Sequence, residues 1–198
     1  MGERRLARLD GSFELEVERS FLEIHPETPP EGRPISSLGY PPERWAQLTA
    51  NLARMGKEEG LLFIDRTFTT NSHKALLLAE AVKESGSGAF ELLNEALFRA
   101  YFSEGKNIGD AAVLRRIAKE SGVPGETVDR AWSDPRFEER LTRQHETASR
   151  VGVTGIPTFI LGNKWILEGA VPTEMLTKVA QEVAQAAKQE TSLRTETT

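Results

Sequence analysis

The chain has 198 residues, a mass of 22.0 kDa and a formal net charge of −5, with 30 acidic against 25 basic side chains. Leu, Ile, Val and Phe make up about a quarter of it, above the roughly 20% below which chains stay disordered, so a buried core is within reach. No apolar run nears the ~18 residues of a membrane span, and the basic start MGERRLARLDGS has no apolar stretch behind it, which points to the cytoplasm. No basic stripe is present to attract nucleic acid. Cysteine is absent. That removes disulfides, thiolate catalysis, cysteine-bound zinc and iron–sulfur clusters together. His25, His73 and His145 lie too far apart for a metal-binding helix, and phosphate loops, dinucleotide fingerprints and nucleophile elbows are missing, so neither metal nor cofactor is expected.

Residues 1–9 read as a helix fragment without a cap, Leu6 and Leu9 on one face and Arg4, Arg5 and Arg8 on the other. A turn at Asp10-Gly11 follows. Phe13, Leu15 and Val17 alternate with Glu14, Glu16 and Glu18, the period of a strand with one solvated face, and Ser20 to Ile24 continues extended. Six prolines and two glycines make residues 26–42 an irregular loop. A helix from Glu43 to Glu59 carries Trp45, Leu48, Leu52 and Met55 as a stripe and stops at Gly60; Leu61 to Ile64 is a strand or an extended connector.

From Thr70 to Arg150 the pattern is helical throughout. Asn71 or Ser72 caps a helix with Leu76, Leu78, Ala79 and Val82, and Phe90, Leu93 and Leu97 mark the next, thickened by Phe98, Tyr101 and Phe102. Asp110 caps a third, Glu126 to Trp132 forms a short fourth, and Pro135 opens a fifth. Thr158–Leu161 and Lys164–Leu167 are strand-like runs separated by Gly162-Asn163, a two-residue hairpin signal. Thr173 caps a last helix bearing Met175, Leu176, Val179 and Val183, and the polar end is expected to fray. The fold class is therefore α+β or α/β with a helical insertion.

The stretch Gly152-Val153-Thr154-Gly155-Ile156-Pro157-Thr158-Phe159-Ile160 resembles the signature of the thioredoxin superfamily, in which a cis proline opens the strand beside the active site. V-G-V-T-G-I-P-T-F-I-L-G-N-K-W-I-L-E-G-A is similar to the end of DsbA-type thiol–disulfide oxidoreductases of the FrnE-like branch. SFLEIHPETPPEG (20–32), TNSHKALLLAEAVKE (70–84) and ALFRAYFSEGKNIGD (96–110) resemble further parts of that branch, in the same order. The physical reading stands beside the resemblance. An X-Pro bond adopts cis at modest cost and turns the backbone sharply before a strand; a trans proline that only opens an edge strand is the alternative. With cis geometry, Ile156 offers its N–H and C=O to an extended peptide or to glutathione.

The resemblance implies a thioredoxin-like α/β fold, residues 1–69 and 151–190, around a helical insertion at 70–150, with a tail at 191–198. It implies disulfide oxidation, reduction or isomerisation through a C-P-x-C pair, followed a few residues on by G-[EK]-R-R. Here Met1-Gly2-Glu3-Arg4-Arg5 occupies the latter place, and the register sets the second cysteine about two residues ahead of Met1. The first strand and both cysteines are thus missing from the sequence. A related branch, the kappa-class glutathione transferases and hydroxychromene-carboxylate isomerases, uses a serine at the same upstream place.

Disulfide exchange requires a thiolate, so the chain is expected to be redox-inactive. Its start is read either as a codon inside a longer gene or as a true loss of the front. Substrate positioning remains with Thr154, Gly155, Ile156 and Pro157, and Asn71, Ser72 and His73 are candidates for a groove, against the plainer reading of a helix cap with a surface histidine. Tyr101, Phe102 and Ile108 read as core of the insertion, and Trp45, Trp132 and Trp165 as packing residues. Expected partners are protein thiol–disulfide substrates or extended peptides. Without the first strand, Phe13–Val17 and Thr158–Leu161 must close up, leave a cleft or borrow a strand, so self-association is also expected. Four readings remain: an oxidoreductase with unrecorded first residues, a redox-inactive peptide-binding or chaperone-like module, a glutathione-dependent isomerase or transferase, and a nonfunctional remnant.

Overall fold

A computed structural model describes residues 1–9 and 11–196, with side chains described as far as residue 189. The elements in chain order are α1 (Gly2–Ala7), β1 (Arg33–Pro34), a 3-10 turn (Ile35–Leu38), α2 (Pro42–Glu58), β2 (Phe68–Thr69), α3 (His73–Lys83) and α4 (Ser87–Phe98). A π-helical turn (Arg99–Ser103) leads to α5 (Ala111–Glu120), α6 (Gly125–Ser133), α7 (Pro135–Arg150), β3 (Thr158–Leu161), β4 (Trp165–Glu168) and α8 (Thr173–Glu196). The expected turn at Asp10-Gly11 rests on Asp10, which lies outside the described residues. So do the side chains of the tail at 191–198 and all of residues 197–198.

Packing divides the chain into two compact units, residues 1–19 with 149–198, and residues 20–148. The sequence placed its divisions at 69/70 and 150/151. Segment 20–69 belongs with the helices for a chemical reason. Phe21 packs on their core, its N–H donates to Gln144 Oε1 at 2.7 Å, and the Lys83 ammonium lies 4.2 Å from its ring centroid. Gln144 Nε2 and Lys83 Nζ both donate to Glu80 Oε1, at 2.7 and 2.6 Å, so a carboxylate only 2% exposed has two donors, one of them charged. A buried charge persists where such partners replace water.

Helix α3 is the centre of this unit. Its periodicity predicts one apolar stripe, yet Ala75, Leu77, Leu78, Ala79, Ala81 and Val82 are all buried, and Leu76 only half so. Helices α4, α5, α6 and α7 surround it with Phe90, Leu93, Leu114, Ile117, Val128 and Phe137. A helix apolar all round is a buried helix. Asp110 caps α5 as expected, its Oδ1 accepting from the Ala112 and Val113 N–H groups at 2.7 and 3.3 Å.

Two local expectations change in the first third of the chain, and one left open is decided. The loop at 26–42 contains a short strand after all, β1, paired antiparallel to β2 as Arg33↔Thr69 and Pro34↔Phe68. Leu61–Ile64 is a connector, fixed by Leu61 N–H to Gly56 O (2.7 Å) and Ile64 N–H to Phe102 O (3.0 Å). On α2 the stripe is narrower than predicted: Trp45, Leu52 and Met55 are half-buried, whereas Leu48 is exposed.

In the other unit Leu9, Leu176 and Ala180 form a small core, covered by Phe13, Leu15, Phe159, Leu161, Leu167 and Val171. Phe13 and Leu15 are half-buried between exposed glutamates as predicted, but Val17 is exposed; the segment is not a strand, and no sheet joins it to the hairpin among the described residues. The reason is pairing: a strand exists by its ladder, and no strand lies alongside it among the described residues. The hairpin β3–β4 forms with Leu161↔Trp165 as its innermost pair, so its loop has Gly162, Asn163 and Lys164, one residue more than predicted. Gly162 and Asn163 both take positive φ, +57° and +56°, and Lys164 N–H closes onto Leu161 O at 3.2 Å. On α8, Leu176 and Val179 face inward as expected, but Met175 is exposed.

Arg5 departs most from the sequence reading. Expected on the wet face of α1, it is buried and donates through Nη1 to the Ala170 carbonyl and, at 3.0 Å, to the Val171 carbonyl. It thereby ties the first helix to the turn before α8. Arg5→Met should lower the free energy of unfolding by about 2 kcal/mol, since two half-buried carbonyls lose a charged donor. Urea denaturation measures this, and an unchanged midpoint would refute the clamp.

Candidate functional site

The candidate residues fall on both units, and each cluster is built locally. The first lies at the start of β3. The Ile156–Pro157 peptide bond is cis. Three hydrogen bonds brace the loop around it: Thr158 Oγ1 donates to Gly155 O at 2.7 Å, Gly169 N–H to Pro157 O at 2.7 Å, and Thr154 Oγ1 to Glu168 Oε1 at 3.2 Å. The carbonyls on either side of Ile156 are therefore engaged. Its own N–H and C=O have no partner among the described residues, and its side chain is 55% exposed.

Helix α1 supports this loop from beside it. A Cβ added at Gly2 would lie 3.2 Å from the Phe159 ring and 3.2 Å from Pro157 Cβ. The first turn of the helix thus rests directly on the proline, which the sequence reading did not foresee. Only the smallness of Gly2, one residue before Glu3-Arg4-Arg5, carries a signal of that contact.

The second cluster surrounds the start of α3. Asn71, rather than Ser72, provides the cap: its Oδ1 accepts from His73 N–H at 2.9 Å, and its Nδ2 donates to Thr28 O at 2.6 Å. Thr70 donates to Asn107 Oδ1 and accepts from Gly109 N–H at 2.9 Å, while Asn107 Nδ2 donates to Pro30 O at 2.8 Å. These bonds hold the proline-rich loop in place. An open cavity of about 400 Å³ lies here, with Glu23, Asn71, His73, Lys74 and Gly109 in its wall.

His73 is not a loose surface histidine. Its Nδ1 lies 3.1 Å from Glu23 Oε2 and its Nε2 2.9 Å from Glu138 Oε2. Burial disfavours the charged ring, but the two carboxylates outweigh it and raise its pKa above the ordinary imidazole value. Neither glutamate was predicted as a partner, because both lie far from His73 in sequence. Among the described residues no group of acidic, histidine or cysteine side chains is arranged to hold a metal.

Most of the remaining candidate residues are structural in their contacts. Ile108 is buried, and Tyr101 and Phe102 are half-buried beneath the Arg66 guanidinium at 4.2 and 4.8 Å from their centroids. Trp132 donates from Nε1 to Lys74 O at 3.1 Å, and Trp45 packs on Tyr40 with centroids 5.8 Å apart. Trp165 is 39% exposed on the hairpin.

Two outcomes follow. A group whose pKa is raised on folding adds stability below its unfolded pKa of about 6.5 and loses it as pH climbs through the folded value. Unfolding free energy should therefore fall as pH rises above about 6.5, and this step should vanish in His73→Gln; urea titrations across that range provide the check. Gly109→Ala should destabilise by about 1–3 kcal/mol, because its Cβ would lie 2.6 Å from Pro30 O and 3.1 Å from Asn71 O.

The family model described as "DSBA-like thioredoxin domain" matches residues 1–181. The crystal structure of probable DsbA oxidoreductase SCO1869 from Streptomyces coelicolor superposes with a TM-score of 0.82 at 23% identity, covering 93% of this chain and 83% of that one. Uncharacterized protein YwbO of Bacillus subtilis (strain 168) is 30% identical over 89 residues, which is 43% of this chain and 42% of that protein. The match thus spans less than half of that curated relative. With a braced cis-proline loop, helices enclosing α3 and a family model covering nearly its whole length, the chain belongs to the DsbA-like thioredoxin domain family.

Proposed function

We propose that this chain acts as a redox-silent member of its family that holds extended polypeptide against the Gly155–Ile156–Pro157 loop. One observation carries the reading: Ile156 is exposed with its N–H and C=O unengaged, in a loop whose neighbouring carbonyls are already bonded. An unpaired donor and acceptor on one residue can exchange two hydrogen bonds with a passing extended strand. Thr154, Gly155 and Pro157 shape the loop, and FrnE-like oxidoreductases, which this sequence resembles, suggest protein thiol–disulfide substrates as clients. The chain contains no thiol, since cysteine is absent, and methionine cannot form a disulfide. Asn71 is committed to the cap and Thr28, so it is assigned no ligand contact here.

Reduction of insulin by this chain should stay at background. An unstructured, reduced client peptide should shift the backbone amide resonances of residues 154–156 and 158, and Pro157→Ala should weaken its binding about tenfold, roughly 1.4 kcal/mol. Insulin turbidity above background would refute redox silence. A peptide that leaves those resonances in place would refute the binding site.

A further inference from the structure

The hairpin has a second edge. Strand β4 pairs with β3 and with no other strand among the described residues. Gly169 N–H bonds to Pro157 O, and bonded pairs alternate along an antiparallel ladder. Phe159/Leu167 and Leu161/Trp165 therefore point their backbone groups at each other. Ile166 and Glu168 point theirs outward, away from β3, along the free edge.

That edge lacks the usual guards. It has no proline and no bulge, and its charges stand only at the ends, Lys164 before the strand and Glu168 at its close. Ile166, at its middle, is 44% exposed, and Ile160 opposite it on the same outer face is 47% exposed.

The sequence K-W-I-L-E is its own complement. When two copies of β4 run antiparallel about a two-fold centred on Ile166, Lys164, the turn residue just before each strand, comes opposite the other copy's Glu168. Moving the centre to Trp165 sets Lys164 against Ile166, and moving it to Leu167 sets Glu168 against Ile166. Charge therefore selects one register. The backbone agrees with it: Lys164 N–H is used in the hairpin turn, bonded to Leu161 O, which leaves its carbonyl to accept from the opposing Glu168 N–H. Glu168 Oε1 takes the Thr154 hydroxyl, and Oε2 is left to face the lysine.

The geometry points to a second copy of this chain as the occupant of the β4 edge, paired antiparallel through Ile166 and held in register by reciprocal Lys164–Glu168 contacts. A four-residue ladder is small beside the roughly 1,600 Å² of a stable interface. The association is weak, rises with concentration and loosens with salt. It is independent of the Ile156 loop, so its failure leaves the peptide-binding reading standing.

Sedimentation equilibrium on the full chain tests it. At low ionic strength the weight-average mass should climb from 22.0 kDa towards twice that value as concentration rises. Lys164→Glu and Glu168→Lys, taken singly, place like charges opposite one another and should weaken the dimer about five- to tenfold. The double variant K164E/E168K restores opposite charges and should recover it. A mass fixed at 22.0 kDa, with or without peptide bound at this edge, overturns the proposal. So does a dimer indifferent to the single reversals, or one that the double variant fails to rescue.

Discussion

Extended backbone stays in place only if something pairs with its N–H and C=O groups, and for several segments of this protein that partner is a side chain rather than a strand. Phe21 N–H goes to Gln144, Thr28 O receives Asn71, and Pro30 O receives Asn107. These side chains come from α7, the start of α3 and the loop before α5. The proline-rich segment that follows residue 20 is thus fastened to a helical body. Because Glu80, Lys83 and Gln144 satisfy one another at the same place, the fastening is also a closed electrostatic network.

The smaller unit meets the same demand differently. Its regular β-structure is a hairpin of two four-residue strands, and the residues that precede it in sequence supply a helix and a covered apolar ribbon instead of a third strand. The β3–β4 hairpin rests on Leu9, Leu176 and Ala180, and Arg5 fixes the turn that leads into α8. The cis-proline loop is consequently well braced. Gly155 and Pro157 have their carbonyls bonded, and Gly2 lies against the proline ring. What this scaffold presents is an exposed Ile156 between two bonded carbonyls, in a chain without cysteine.

Much of the larger unit was legible before any coordinates. The helix starts at Asn71, Asp110 and Pro135 follow from caps and from proline's fixed φ, and the apolar residues of α4 and α5 from their period. The candidate loop was legible too, since G-V-T-G-I-P-T-F-I is a local pattern. What escaped were long-range choices. Nothing around Arg5 announces that its guanidinium turns inward, and nothing around His73 names Glu23 and Glu138 as its neighbours. Phe13–Val17 alternates as a strand does, because alternation reports which face is buried, whereas a strand requires a neighbour at ladder distance.

By itself, then, the sequence determined the elements with strong local signals, the family resemblance and the loop at Ile156–Pro157, because each of these is written in residues close together in the chain, and its composition showed that cysteine is absent. The tertiary structure alone decided which charged side chains were buried and with whom, that α3 rather than another helix was enclosed, and which extended segments found strand partners. The physical reason is that hydrogen bonds and burial are pairwise. Their outcome depends on the group standing opposite, and folding, not sequence proximity, chooses that group.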